Sequence, residues 1–78
     1  VYSERITLRG KPFLAIFDIT FADSIFGIEP TPVNIKLCNF AREHLYAVEY
    51  LLDTEDWDII KKQCIEYVHD NLSEIYDG

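Results

Sequence analysis

Cysteine is scarce in this chain of 78 residues: only Cys38 and Cys64 occur, and they do not form a CxxC pair. A disulfide-dense scaffold and the cysteine-rich zinc patterns are therefore excluded. One bridge between the two remains open, but both sit in apolar contexts, as reduced core cysteines do. A reducing, cytoplasmic compartment is the expectation. Histidine is equally sparse. His44 and His69 form neither HxxxH nor HExxH, and no EF-hand loop occurs, so no metal or other cofactor is expected. GxSxG, P-loop and GxGxxG motifs are absent, which removes the commonest hydrolase and nucleotide-binding signatures. The longest purely apolar run, Phe13 to Phe17, is too short for a signal-peptide core or a membrane span. With no methionine anywhere, Val1 either follows a removed initiator or opens part of a longer chain.

Bases are few in one half. Residues 1–39 hold four acids (Glu4, Asp18, Asp23, Glu29) and four bases (Arg5, Arg9, Lys11, Lys36). Residues 40–78 hold ten acids against Arg42, Lys61 and Lys62, so the whole net charge of −7 lies there. Such a field repels nucleic-acid phosphates and anionic membranes and attracts basic surfaces. Neither direct nucleic-acid binding nor membrane binding is expected.

Apolar residues are plentiful, at 49%, and 14% of the chain is aromatic. One domain, residues 1–78, can assemble a core from these, although a chain this short buries only about 60% of its unfolded surface. The stretches 2–9 and 12–21 flank Gly10 and predict a hairpin. In the second stretch Phe13, Ala15, Phe17, Ile19 and Phe21 share one face while Leu14 and Ile16 lie on the other. A strand apolar on both faces is central, so Phe13, Phe17 and Ile19 are assigned to the core. Gly27, Pro30 and Pro32 predict a loop over 22–32 that carries Ile25, Phe26 and Ile28. Val33, Ile35 and Leu37 then alternate as a third strand. Residues 41–52 fit a helix capped by Asn39, with Ala41, Leu45, Val48 and Leu52 aligned, or else a fourth strand with Tyr46, Val48, Tyr50 and Leu52 aligned. From Glu55 to about Tyr76 the spacing predicts one long helix, its inner stripe being Trp57, Ile60, Cys64, Val68, Leu72 and Ile75. The expected architecture is a small two-layer α+β domain: a three-stranded, or four-stranded, antiparallel sheet against one or two C-terminal helices.

Four carboxylates crowd Trp57 in the stretch Asp53-Thr54-Glu55-Asp56-Trp57-Asp58. Asp53 or Thr54 sits where a helix N-cap belongs, and the acids beyond it meet the positive end of the helix dipole. Further along, Glu66, Asp70, Glu74 and Asp77 recur at spacings of four, four and three with no base after Lys62. Like charges at such spacings are mildly destabilising, so a stripe of them points to use by a basic partner. The expected function is therefore a non-catalytic protein-interaction domain. Its contacts would be Glu66, Asp70, Glu74 and Asp77 on the helix and Ile25 and Phe26 on the loop. In size and charge it matches small acidic inhibitors that copy nucleic-acid phosphate, as in phage antagonists and immunity proteins. A homodimeric structural or ligand-binding domain is the alternative. A third option is a small enzyme using Asp18, His44 or Cys38, with Asp18 otherwise expected to pair with Arg5 or Lys36.

Overall fold

A computed structural model describes residues 1–25 and 27–77 of the chain, with the backbone alone for 22–24 and 77. Its elements run β1 (Tyr2–Leu8), β2 (Lys11–Ser24), β3 (Gly27–Cys38), α1 (Tyr46–Tyr50), α2 (Thr54–Asp70) and α3 (Leu72–Asp77). The strands form one antiparallel sheet in the order β1-β2-β3, so the doubly apolar second strand is central. Helix α2 packs against both β1 and β3 and therefore spans the sheet. The core between the layers joins Ile6, Leu8, Ala15, Phe17 and Leu37 to Ile60, Cys64 and Val68 of α2 and Ile75 of α3. Phe17 is fully buried, while Phe13 and Ile19, also assigned to the core, are half-buried at its margin.

The β1–β2 turn and the start of α2 are locked together. Leu8 and Lys11 close a two-residue turn in which Arg9 and Gly10 have φ of 52° and 76°. Two positive φ values define a type I′ turn, whose twist suits the flanking strands. Glycine adopts that conformation freely; arginine does so at a cost of about 1–2 kcal/mol. The Arg9 side chain offsets that cost by reaching Asp56, Nε to Oδ1 at 3.0 Å and Nη2 to Oδ2 at 2.6 Å. Asp56 is 5% exposed and also completes a capping box. Its N–H donates to Asp53 Oδ1 at 2.9 Å, and its Oδ2 accepts from the Asp53 N–H at 3.2 Å. Of the two candidates Asp53 and Thr54, Asp53 is thus the N-cap.

Four expectations need correction. Residues 22–32 are not a loop: β2 runs to Ser24, β3 starts at Gly27, and the two pair from Ser24↔Gly27 onward. Pro30 and Pro32 lie opposite Phe21 and Ile19 in an edge strand, where a missing N–H costs no ladder bond. The C-terminal helix is not continuous. Asn71 breaks it (φ −122°, ψ 25°), its Nδ2 donating at 2.8 Å to the carbonyl of Tyr67. That side-chain bond competes with the helical ladder. The break lets α3 bury Ile75 and set Tyr76 against Phe21, ring centres 5.6 Å apart. Of residues 41–52 only Tyr46–Tyr50 is helical, and the fourth strand shrinks to a single bridge, Cys38↔His44. Asn39 caps the intervening loop rather than a helix, its Oδ1 accepting from the N–H groups of Ala41 and Glu43. Ala41, expected on the inner face of a helix, is exposed. Lastly, Asp18 pairs with neither Arg5 nor Lys36 among the described residues; it is exposed, opposite Val33.

A bulge interrupts β2–β3 beyond Ile16↔Lys36, since Asp18 next pairs with Val33. The extra residue belongs to β3, where Asn34 takes φ 54°. Bulges bend a strand and increase its twist. Here the bend lies just where β1 stops, opposite Phe17.

Two outcomes follow from this packing. Phe17→Ala removes a ring stacked on Tyr2 (6.2 Å) and met edge-on by Tyr67 (5.8 Å). Denaturant titration should show a loss of about 3–5 kcal/mol, and a negligible loss would displace Phe17 from the centre of the core. The Arg9 hydrogen bond holds the Asp56 carboxyl below its ordinary pKa, against the opposing effect of desolvation. Its stabilisation is complete above the unfolded value of about 3.9 and is lost as pH falls through the lower folded value. Asp56→Asn should therefore be less stable than the parent at pH 7, and the two stability curves should converge in acid. Parallel curves from pH 7 to 2 would contradict the pairing.

Candidate functional site

Gln63 of α2 fixes the helix beside β1. Its Nε2 donates to the Thr7 carbonyl at 2.8 Å and its Oε1 accepts the Thr7 N–H at 2.9 Å. The next turns, along the same helix side, carry Glu66 and Asp70, and Glu74 follows on α3; all three are exposed. Glu66 and Asp70 share a shallow cleft of about 160 Å³ with Glu4 of β1, Tyr67 and Asn71. Arg5 lines its rim, but the Arg5 guanidinium lies 5.4 Å from the centre of the Phe40 ring. Burial, then the charges of Glu74 and Glu4, push the Tyr67 hydroxyl above its ordinary pKa. Carboxylates from β1 and α3 are thus felt together at Tyr67. The side chain of Asp77 and all of Phe26 lie outside the described residues.

The acids around Trp57 do not join this group. Asp53 and Asp56 are engaged in the cap, and Asp58 lines a separate cleft with Trp57, Lys61 and Pro32. Ile25, at the β2–β3 turn, is 93% exposed. Beside it Phe21, Ile28 and Tyr76 are exposed to between 48% and 60%, and the Tyr76 hydroxyl donates to the Ile28 carbonyl at 3.2 Å. That end of the hairpin is an apolar surface.

The residues considered for catalysis are only partly assembled. A cleft of about 510 Å³ brings together Asp18, Lys36, His44 and Glu49 over Ile16 and Ile35. His44 is half-buried, with Nε2 2.5 Å from Glu49 Oε2. The same Glu49 oxygen accepts the Leu37 N–H at 2.7 Å. Cys38 does adjoin His44 through the backbone bridge, which their spacing gave no reason to expect. Yet the Cys38 thiol is buried, and burial and then Glu49 push its pKa up. Burial raises Cys64 to about 11. A nucleophilic cysteine needs the opposite shift. His69 is exposed. Glu49 and Gln63 were missed from sequence because each acts on backbone groups of a distant strand, which no local spacing encodes. Among the described residues no three His, Cys, Asp or Glu side chains converge as metal ligands, and no helix is long and apolar enough to cross a membrane.

No protein-family model, curated protein or solved structure matches this chain. Any functional account therefore rests on the chain's own geometry.

Both cysteines are free. In the folded protein at pH 8 neither should react appreciably with a disulfide reagent, and the reaction rate should track global unfolding across a denaturant series. Rapid native-state labelling of Cys38 would restore the thiol-enzyme alternative.

Proposed function

We propose that this domain is a non-catalytic protein-interaction module that engages a basic partner through the acidic side formed by Glu66, Asp70 and Glu74, with Asp77 continuing the stripe. The observation that carries this reading is the partition of the acids. Asp53 and Asp56 at the N-terminus of α2 are engaged by the fold, through the cap and Arg9. Glu66, Asp70 and Glu74 are exposed, and no described cation pairs with them. Opposed charges across an interface mainly speed association and fix orientation, and salt screens them over about 8–10 Å. The exposed hairpin end with Ile25 supplies an apolar contact of the kind that charged surfaces alone lack. An inhibitor or antagonist of a nucleic-acid-binding protein, the stripe standing in for phosphates, is the form of this activity that the charge favours.

The test compares the parent with the Glu66→Gln, Asp70→Asn, Glu74→Gln triple variant, each immobilised and exposed to native extract across a salt series. The parent should retain a basic protein at low salt and release it by about 0.5 M, where the screening length is only a few ångströms. The variant should associate roughly tenfold more slowly with that protein, with a flattened salt dependence. Its melting temperature should hold or rise slightly, because self-repulsion falls. Equal association rates at low salt would reduce the stripe to a solvated face.

A further inference from the structure

The outer edge of β3 presents acceptors without donors along one stretch. Leu37 turns both of its backbone groups away from β2: Glu49 accepts from its N–H at 2.7 Å, and its carbonyl accepts from the Leu45 N–H at 2.9 Å. Leu37 lies opposite Ala15. Backbone orientation alternates along an antiparallel strand, and the bulge lies in β3, so the alternation along β2 is unbroken. The residues of β3 opposite Ile19, Phe21 and Asp23 therefore turn outward as well; they are Pro32, Pro30 and Ile28. The Ile28 carbonyl accepts from the Tyr76 hydroxyl. The carbonyls of Pro30 and Pro32 meet no donor among the described residues, and neither proline has an N–H. Two acceptors, about 7 Å apart at strand spacing, thus stand on this edge with no donor beside them.

Pro32 opens onto the cleft of about 420 Å³ whose opposite wall is α2, with Trp57, Asp58 and Lys61. Trp57 is half-buried there, and Asp58 is exposed with no described cation in ion-pair range. A carbonyl without a protein donor is satisfied by water or by a ligand. The cleft therefore joins an indole ring, a carboxylate and a backbone acceptor. Lys61 is the opposing feature: it is exposed, and its charge repels a cation.

From this we infer that the cleft between Pro32 and Trp57 receives an arginine side chain of the basic partner. The inference rests on the basic-partner reading above and deepens it, because it adds a residue-specific contact to a diffuse field. A group that only donates fits an edge that only accepts, and guanidinium has five N–H donors and no acceptor. Its planar fork offers bonds to both the Pro32 carbonyl and the Asp58 carboxylate, and its face stacks on an indole. A lysine ammonium is a compact, strongly hydrated charge and gains less from the ring. An added strand is disfavoured, because its carbonyls would meet no N–H at Pro30 or Pro32. An acidic side chain would face Asp58 and the unpaired carbonyls together.

Trp57 is the only tryptophan, so its fluorescence reports on this cleft. The probe is the end-blocked tripeptide Gly-Arg-Gly at low salt, compared with Gly-Lys-Gly and with the citrulline form, which keeps the shape and loses the charge. The arginine peptide should change Trp57 fluorescence saturably, and each of the other two should bind at least several-fold more weakly. Asp58→Asn should weaken the arginine peptide roughly two- to fivefold, and Lys61→Gln should strengthen it; both positions are exposed, so the core is untouched. Pro32→Val adds an outward N–H beside the carbonyl and should weaken binding several-fold. The Glu66→Gln, Asp70→Asn, Glu74→Gln variant should keep the Trp57 response. If the response vanishes in that triple variant and is unchanged in Asp58→Asn, the peptide sits on the stripe, and the cleft is overturned while the charged-face reading stands. Equal binding by the lysine or citrulline peptide would overturn the choice of arginine. Unchanged affinity in both Asp58→Asn and Pro32→Val would overturn the contacts assigned to the cleft. Absence of any Trp57 response to the arginine peptide would overturn the proposal outright.

Discussion

The ion pair between Arg9 and Asp56 organises this domain because it ties a turn to a helix end, two features that each leave backbone groups or strain unattended. The turn puts Arg9 in a left-handed conformation, and α2 begins with N–H groups that lack intrahelical partners. A single buried carboxylate serves both. Asp56 accepts two bonds from the guanidinium and one from the Asp53 N–H, so the hairpin cannot rotate without disturbing the cap. Residues 47 positions apart are thereby fixed, and the first turn of α2 is held over the end of the sheet. From that anchor the stripe Ile60, Cys64 and Val68 follows at helical spacing onto the sheet.

Further along the same helix the problem changes from strain to exposed backbone. A three-stranded sheet has two long edges, and this one protects them by borrowing side chains from the helices. Gln63 imitates a neighbouring strand at Thr7, and Glu49 does so at Leu37 while holding His44. These contacts use polar atoms that a purely amphipathic description of the helices would leave in solvent. They also explain why α1, with only five residues, has a defined place: Glu49 pins it to β3. Such edge caps at Thr7 and Leu37 oppose uncontrolled strand pairing there.

The second strand and the α2 cap were legible in sequence because both depend on local pattern. Period-two alternation from Phe13 to Phe21 and an acid-rich segment before a helical stripe each carry their own physical cause. What could not be read was decided between distant residues. Pro30 and Pro32 have the composition of a loop, yet they are tolerated in β3 because their nitrogens face away from β2. Asn71 has no conspicuous context, but its side chain captures the Tyr67 carbonyl and divides the helix. His44 has no partner at helical spacing that the sequence singles out; its partner is Glu49 of α1, and His44 itself lies in the loop before that helix. For the acidic stripe, spacing correctly placed Glu66, Asp70 and Glu74 in the open. It could not show that Glu4, from β1, adds its charge to theirs.

That addition matters for how the charge acts. Carboxylates spaced along an exposed helix are screened individually, and their mutual repulsion is small. When a fourth carboxylate, Glu4, joins from another element around the half-buried Tyr67, the like charges add over a small area of surface. A cationic side chain arriving there replaces repulsion by attraction at several carboxylates at once. The fold does not supply that cation itself: Arg5, at the rim of the same cleft, stands over Phe40, and Arg42 donates to Ser3 Oγ at 3.4 Å. Arg9 shows what the chain does where a carboxylate belongs to its own architecture, namely bury it and pair it in bidentate geometry. The contrast between Asp56 and the Glu66–Glu74 group is therefore one of construction. The first is an acid that folding consumes, and the second is a set of acids that folding gathers and leaves uncompensated.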